Sequence, residues 1–486
     1  MTTPPPLTQK EIYVVLFGAL LALFLAALDQ TIVATALPAI GADLGDFHLM
    51  SWIVTSYMLT ATAGTPVLGK LGDMFGRRRL LLACMGLFLV ASALCALSQT
   101  MLHLILARAV QGLAGGGLMT TVQALVGELV SPRERARYAA WFSLTWAMAS
   151  LAGPLLGGIF AVHVGWQWVF WINLPLGLVA LVVIWFALRK FPLNTRPAKV
   201  DVLSVIWLLT GSTGVLLALS EGGSTPDWGL GALLALGAGG ALGLVFFLLR
   251  QRRVAEPILP PAFLSDSVIG PMLGTLFLAF GAYLAVAVLV PTYFQVGLGV
   301  GADVSGLIMI PFMLSVTLTA GLAGRYVKAT GRYRLPPLIG IPVAALAILA
   351  EGLLAGHLPV WAAAALLVPV GLGIGPVFPI SMLATQNAVD RKDLGAISGA
   401  VSFLRSLGGA LVTAGATALL LYLIVKGLPN LAAIGGLQDL ARANLTPADR
   451  AAVVESFSTL FICLSIVMLL GFLFYRKAEE RPLRAA

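Results

Sequence analysis

Charge is scarce in this sequence: 10% of its 486 residues are Asp, Glu, Lys or Arg, against 59% hydrophobic, and mean hydropathy is +0.97. A soluble domain carries about 25% charged residues, so a water-facing globular protein is excluded and a polytopic membrane protein is expected. Cysteine is scarcer still. Cys84, Cys95 and Cys463 all fall within apolar runs, which excludes a disulfide framework. The histidines His48, His103, His163 and His357 show no metal-ligand spacing and map to the outer edge of the expected membrane layer, so no metal site is expected. There is no Walker A loop, nucleophile elbow or H-E-x-x-H motif. The chain is therefore not expected to be an enzyme, to hydrolyse ATP or to hold a cofactor.

What the sequence has in abundance is long apolar runs, and about 20 such residues cross a bilayer. Fourteen spans are expected, over approximately residues 12–39, 50–71, 80–98, 102–128, 136–162, 166–188, 201–220, 229–249, 268–294, 303–325, 335–355, 359–386, 396–425 and 454–475. The first follows a Pro/Thr-rich Met1–Lys10 and exceeds a signal-peptide core, so it is expected to be retained. Basic residues check the count. Lys426, Arg442 and Arg450 fall in outer connections and Arg108 inside a span. The rest gather on even-numbered connections, the tails or adjoining helix ends, as at Arg77–Arg79, Arg133, Arg135, Arg137, Arg189, Lys190, Arg250, Arg252 and Arg253. This alternation places both termini in the cytoplasm and His48, Glu221 and Asp439 outside. The net charge of +9 is then topology rather than a nucleic-acid footprint. The one long outer loop, Lys426–Val453, is expected to form a partly ordered cap.

The connection between the second and third spans reads Gly69-Lys-Leu-Gly-Asp-Met-Phe-Gly-Arg-Arg-Arg79. Positive-inside bias explains its arginines but not an acid held between glycines. The pattern resembles the loop signature of the major facilitator superfamily. Gly324–Arg334 is a degenerate echo of it without the acid, which suggests two six-span halves.

Other segments are similar to the 14-helix drug–proton antiporter branch of that family. Leu28–Pro38 resembles its first-helix signature, with Ala34 where Asn is common, and Leu104–Gly112 resembles its fourth-helix pattern around Arg108 and Gln111. Gly153-Pro154-Leu-Leu-Gly157-Gly158 resembles the antiporter signature, with Ala149 at its first glycine. Asn173-Leu-Pro175, Tyr293-Phe-Gln295, Gly371–Pro379 and Ser398–Gly409, which contains Arg405, also look family-like.

The resemblance implies an all-α major facilitator fold: a six-helix bundle at 1–190, two inserted helices at 191–265 and a second bundle at 266–486. It implies a monomeric inner-membrane exporter exchanging protons for amphiphilic, lipophilic-cationic compounds, with no nucleic-acid partner. An exporter or flippase of a cell-envelope lipid or metabolite, or a non-transporting sensor of the same fold, is the alternative. Gln30, Thr31, Tyr57, Gln111, Trp146, Tyr293 and Gln295 are the expected cavity residues.

Helix rise adds depths. Asp29 and Arg108 each come out about 26 Å above the inner edge, at 1.5 Å per residue. They are expected to form the proton-coupling site, because a buried ionisable group needs a partner or a cavity. By the same rise Asp73 and Glu128 reach the inner edge beside Arg77 and Arg78. With Gly69 and Gly76 they are expected to form a gate at that end.

Overall fold

The computed structural model describes residues 9–46, 49–130, 132–189, 201–222, 229–428 and 445–484, and no strand occurs among them. The first half comprises α1 (Gln9–Leu44), α2 (Met50–Phe75), α3 (Arg77–Ala96), α4 (Met101–Leu129), α5 (Pro132–Ile159), α6 (Trp168–Trp171) and α7 (Asn173–Ala187). A hairpin of α8 (Val202–Gly222) and α9 (Leu230–Gln251) follows, then the short α10 (Pro261–Ser265). The second half comprises α11 (Ile269–Thr275), α12 (Gly281–Thr292), α13 (Ala302–Thr330), α14 (Leu335–Leu353), α15 (Val360–Ile374), α16 (Val377–Ala388), α17 (Leu394–Gly427) and α18 (Pro447–Lys477). A π-helical turn, Leu276–Phe280, interrupts the span begun by α11, and a second, Tyr293–Gly297, ends it.

Twelve helices among the described residues are long and apolar enough to cross a membrane, two fewer than the expected fourteen. The difference is α2 and α8, both helical. Helix α2 is rich in Thr, Ser and Gly and carries Lys70 and Asp73, which lowers its hydropathy. Its hydroxyls bond back to their own helix, as Thr60 Oγ1 donates to the Ser56 carbonyl at 3.0 Å and Thr65 Oγ1 to the Thr62 carbonyl at 3.0 Å. Of α8, an apolar stretch Val202–Ala218 is too short to meet the same test.

The expected outer loop is shorter than Lys426–Val453, because α18 starts at Pro447. A capping box sets that start: Thr446 Oγ1 accepts from the Asp449 N–H at 3.2 Å and Asp449 Oδ2 from the Thr446 N–H at 2.9 Å. His48, Asp439 and the Glu221 side chain lie outside the described residues.

Packing in the first half divides into two main apolar clusters, one around Leu23, Met85, Phe88 and Leu118 and one around Ile40, Ile53, Met101 and Phe170. Between them lie Asp29 on α1, Ser92 on α3, Arg108 and Gln111 on α4, and Asn173 on α7. One polar layer thus crosses the bundle. The second half has a single core running from Phe263 to Tyr475, which also takes in Leu208, Leu216 and Phe247 of the inserted hairpin. That hairpin packs on itself through Gly211 and Gly214 against Gly240 and Gly243, whose missing side chains let the two backbones meet. At its base Arg250 grips Asp201 with two bonds of 2.6 and 2.7 Å. This guanidinium holds the Asp201 carboxyl well below the usual carboxylate range.

The two echoing loops share a backbone feature. Gly76 and Gly331 sit at corresponding positions with φ of +91° and +71°, a region that side-chain-bearing residues avoid.

Candidate functional site

The structure brings Asp29 and Arg108 into direct contact. Arg108 Nη1 pairs with Asp29 Oδ2, and the two side chains are 1% and 0% exposed. Gln111 Nε2 donates to Asp29 Oδ1 at 2.9 Å and Asn173 Nδ2 donates to the same oxygen at 3.1 Å. Arg108 is held in turn by the Gln111 Oε1 at 2.9 Å and the Ile53 carbonyl at 3.2 Å. Its guanidinium lies 4.2 Å from the Tyr57 ring centroid. Local sequence explains this convergence. Arg108 and Gln111 are three apart and share one face of α4, and glycines 112, 115 and 116 bring that face against α2.

Asn173, Ser92 and Cys95 complete the layer, although the sequence does not mark them as a site. Asn173 Nδ2 also donates to Ser92 Oγ at 3.0 Å, and Cys95 Sγ donates to Gln111 Oε1 at 3.4 Å. The available signal was Asn173 alone, a polar residue inside an apolar run with a family-like Leu-Pro after it.

The Gly153–Gly158 segment of α5 packs on α1 beside this layer. A side chain at Gly153 would strike Thr31, and one at Gly157 would strike Thr35 and the Ile32 carbonyl. Thr31 Oγ1 donates to the Ala149 carbonyl at 2.9 Å. Pro154 is exposed and Gly158 faces open space, so these two do not join the contact. Among the other expected cavity residues, Tyr57 donates its hydroxyl to the Ala26 carbonyl at 3.3 Å, with Gln30 nearby. Trp146 packs on the apolar set of Ala27, Leu28 and Ala149. Tyr293 is enclosed by Phe457 and Phe461 in the second half, and Gln295 Nε2 reaches Ser305 Oγ at 3.4 Å. Neither joins the Asp29 layer.

At the arginine-rich end a second charge system joins the two halves. Arg77 Nη2 bonds Asp73 Oδ1 at 2.8 Å, and Arg77 Nη1 pairs with Glu128. Asp73 also accepts from the N–H groups of Gly395 and Ala396, at 2.8 and 2.7 Å. An acid of the first half therefore caps the N-terminus of α17 in the second, where unpaired N–H groups and the helix dipole favour an anion. Arg77 Nη2 reaches the Arg391 carbonyl at 3.0 Å. A Cβ at Gly69 would strike the Gly395 carbonyl, so that crossing requires glycine. Arg78 stands apart: it donates to the Arg189 carbonyl at 3.2 Å and lies over Trp185. Three further contacts were not visible in the sequence. Lys70 pairs with Glu256 at 2.6 Å, Ser402 donates to Gln123 Oε1 at 2.9 Å, and Gln386 donates to the Gln123 carbonyl at 3.2 Å.

Removing one member of a buried pair leaves a lone charge, at a cost of about 3–5 kcal/mol, whereas replacing both with apolar groups is often neutral. Arg108→Leu should therefore lower the thermal unfolding temperature in detergent far more than the double variant Asp29→Leu/Arg108→Leu. Additive losses in this cycle would show that the pair is not coupled.

The comparisons agree with this architecture. The family model described as Major Facilitator Superfamily matches residues 19–413. An uncharacterized MFS-type transporter of Mycobacterium tuberculosis (strain ATCC 25618 / H37Rv) is 34% identical, covering 98% of this chain and 70% of its own. The Multidrug transporter protein MdtP of Bacillus subtilis (strain 168) is 34% identical, covering 82% of this chain and 74% of its own. Multidrug resistance protein 3 of the same organism is 33% identical, covering 82% and 78%. Among solved structures, the proton:xylose symporter XylE superposes with a TM-score of 0.64 at 14% identity, covering 98% of both chains, a likeness of fold alone. The helical halves, the charged loop between α2 and α3 and the family match together establish that this chain belongs to the Major Facilitator Superfamily.

Proposed function

We propose that this protein is a proton-coupled exporter of amphiphilic drugs in the inner membrane, with fourteen spans and both termini in the cytoplasm. In this reading residues 1–190 and 266–486 are the two moving bundles and 191–265 an inserted pair. Relatives named multidrug transporter and multidrug resistance protein support the export of drugs. The observation that carries proton coupling is the enclosed Asp29–Arg108 pair, a full ion pair in an apolar bundle.

Such a pair stays charged only while it stays together. Parting it leaves a carboxylate in an apolar core, where taking up a proton removes the charge. Asn173 Oδ1 is buried without a partner, so rotating this amide offers a protonated Asp29 an acceptor. A lipophilic cation would compete with the proton for Asp29 once Arg108 has moved aside. The Asp73–Arg77–Glu128 network is the latch in this cycle: it closes the cytoplasmic end, and breaking it frees α17 from α2.

Asp29→Asn keeps the size of the side chain but replaces one accepting oxygen with an NH2 group, and it cannot carry a proton. It should reduce protonophore-sensitive dye efflux from inverted vesicles to background at normal expression. Wild-type coupling in that variant would place the proton elsewhere. Asp73→Asn weakens the cap on α17, and should raise thiol labelling of a cysteine placed at Ser402, inside the closed end. Unchanged labelling and transport would dismiss the latch. For topology, an impermeant thiol reagent applied outside should modify a cysteine at Asp439 and miss one at Arg252. The reverse pattern would overturn the fourteen-span arrangement.

A further inference from the structure

By the alternation of basic residues Arg405 belongs near the arginine-rich end, but the structure sets it deeper within α17 than a helix end. It lies about eleven residues into α17, near 17 Å along the axis at 1.5 Å per residue, well inside the apolar layer. Arg108 answers the cost of that position with Asp29. Arg405 has no acid partner and no hydrogen bond among the described residues, and its Nε is buried unpaired. Its guanidinium instead lies 4.4 Å from the ring centroid of Phe378 on α16 and 5.2 Å from that of Phe280. Arg405 and both rings are only half-buried, so this cluster faces accessible space.

Its place in the fold is informative. Ser402, three residues earlier and on the same side of α17, bonds Gln123 of the first half. Arg405 is therefore one turn beyond a contact that ties the halves together. Ser381 Oγ, one turn from Phe378 on α16, is also buried without a partner. A guanidinium presents a planar fork of donors that matches carboxylate, sulfonate or phosphate oxygens, and flanking rings take up an aromatic or aliphatic body.

We propose that Arg405, with Phe280 and Phe378, binds the anionic group of an amphiphilic substrate. The inference rests on the transport reading and extends it from cations to anionic and zwitterionic compounds. The first half offers no rival for a cation in this state, since Asp29 is already saturated by Arg108, Gln111 and Asn173. The anion can be that of a free compound or of a lipid headgroup.

Equilibrium binding to the purified full chain, read by fluorescence, tests this with three probes: carboxyfluorescein, tetramethylrhodamine methyl ester and a fluorescent phosphatidylglycerol. A charge-assisted contact is worth enough that Arg405→Gln should weaken binding of an anionic probe about tenfold or more, while Arg405→Lys retains most of it. Binding of the cationic ester should stay at the wild-type level, which also shows that the variant is folded. Selective loss of carboxyfluorescein assigns the site to free anions, and selective loss of phosphatidylglycerol to a headgroup. Equal loss of all three probes, unchanged anion binding, or no anion binding by the wild type would each overturn the proposal. Efflux in vesicles is scored separately. A chain that binds anions through Arg405 but exports nothing would sink the exporter reading and leave the site standing.

Discussion

The Asp29–Arg108 contact constrains the first half more than any other single interaction. Desolvating two charges is expensive, and a buried pair seldom adds net stability. What it adds is register. Once Asp29 must face Arg108, α1 and α4 are locked in depth, Gln111 and Asn173 supply the remaining donors, and α3 and α7 follow through Ser92. Slipping any of these helices by a turn would strand a charge or an amide between the two apolar clusters. Two glycines of α5 belong to the same constraint, because Gly153 and Gly157 bring α5 against α1 at Thr31 and Thr35.

The two charged loops show how related halves are used differently. In the first, Asp73 reaches across to cap α17. The second loop has no acid of its own, and the C-terminal tail supplies one: Glu480 accepts from the Tyr333 and Arg334 N–H groups, at 2.8 and 3.1 Å, at the start of α14. A helix N-terminus receives an anion in both cases. The first pair of bonds crosses between the halves, while the second closes a tail onto its own half.

Arg108 and Arg405 form a similar contrast. Both are arginines within helices near an inter-helix polar layer, and only the first is neutralised by the chain itself. Aromatic rings beside Arg405 are a weak substitute for an acid, since a cation–π contact contributes far less than a buried ion pair.

The sequence by itself determined everything that depends on position along a helix. Apolar runs placed the helices, and rise per residue put Asp29 level with Arg108 and Asp73 and Glu128 at one end. Spacing of three residues put Arg108 and Gln111 on a common face of α4, whereas Asp73 and Arg77 stand on either side of the break at Gly76. Depth is a one-dimensional quantity that a helix carries in its own numbering. Which helix each face meets is decided by packing among all of them, and only the tertiary structure supplied it. It decided that Asn173 completes the Asp29 site, that Tyr293 and Gln295 lie apart from it, and that Asp73 finds the N-terminus of α17. It also left Arg405 without an acid. The direction a side chain takes around its helix axis has consequences only once a neighbour is there to receive it.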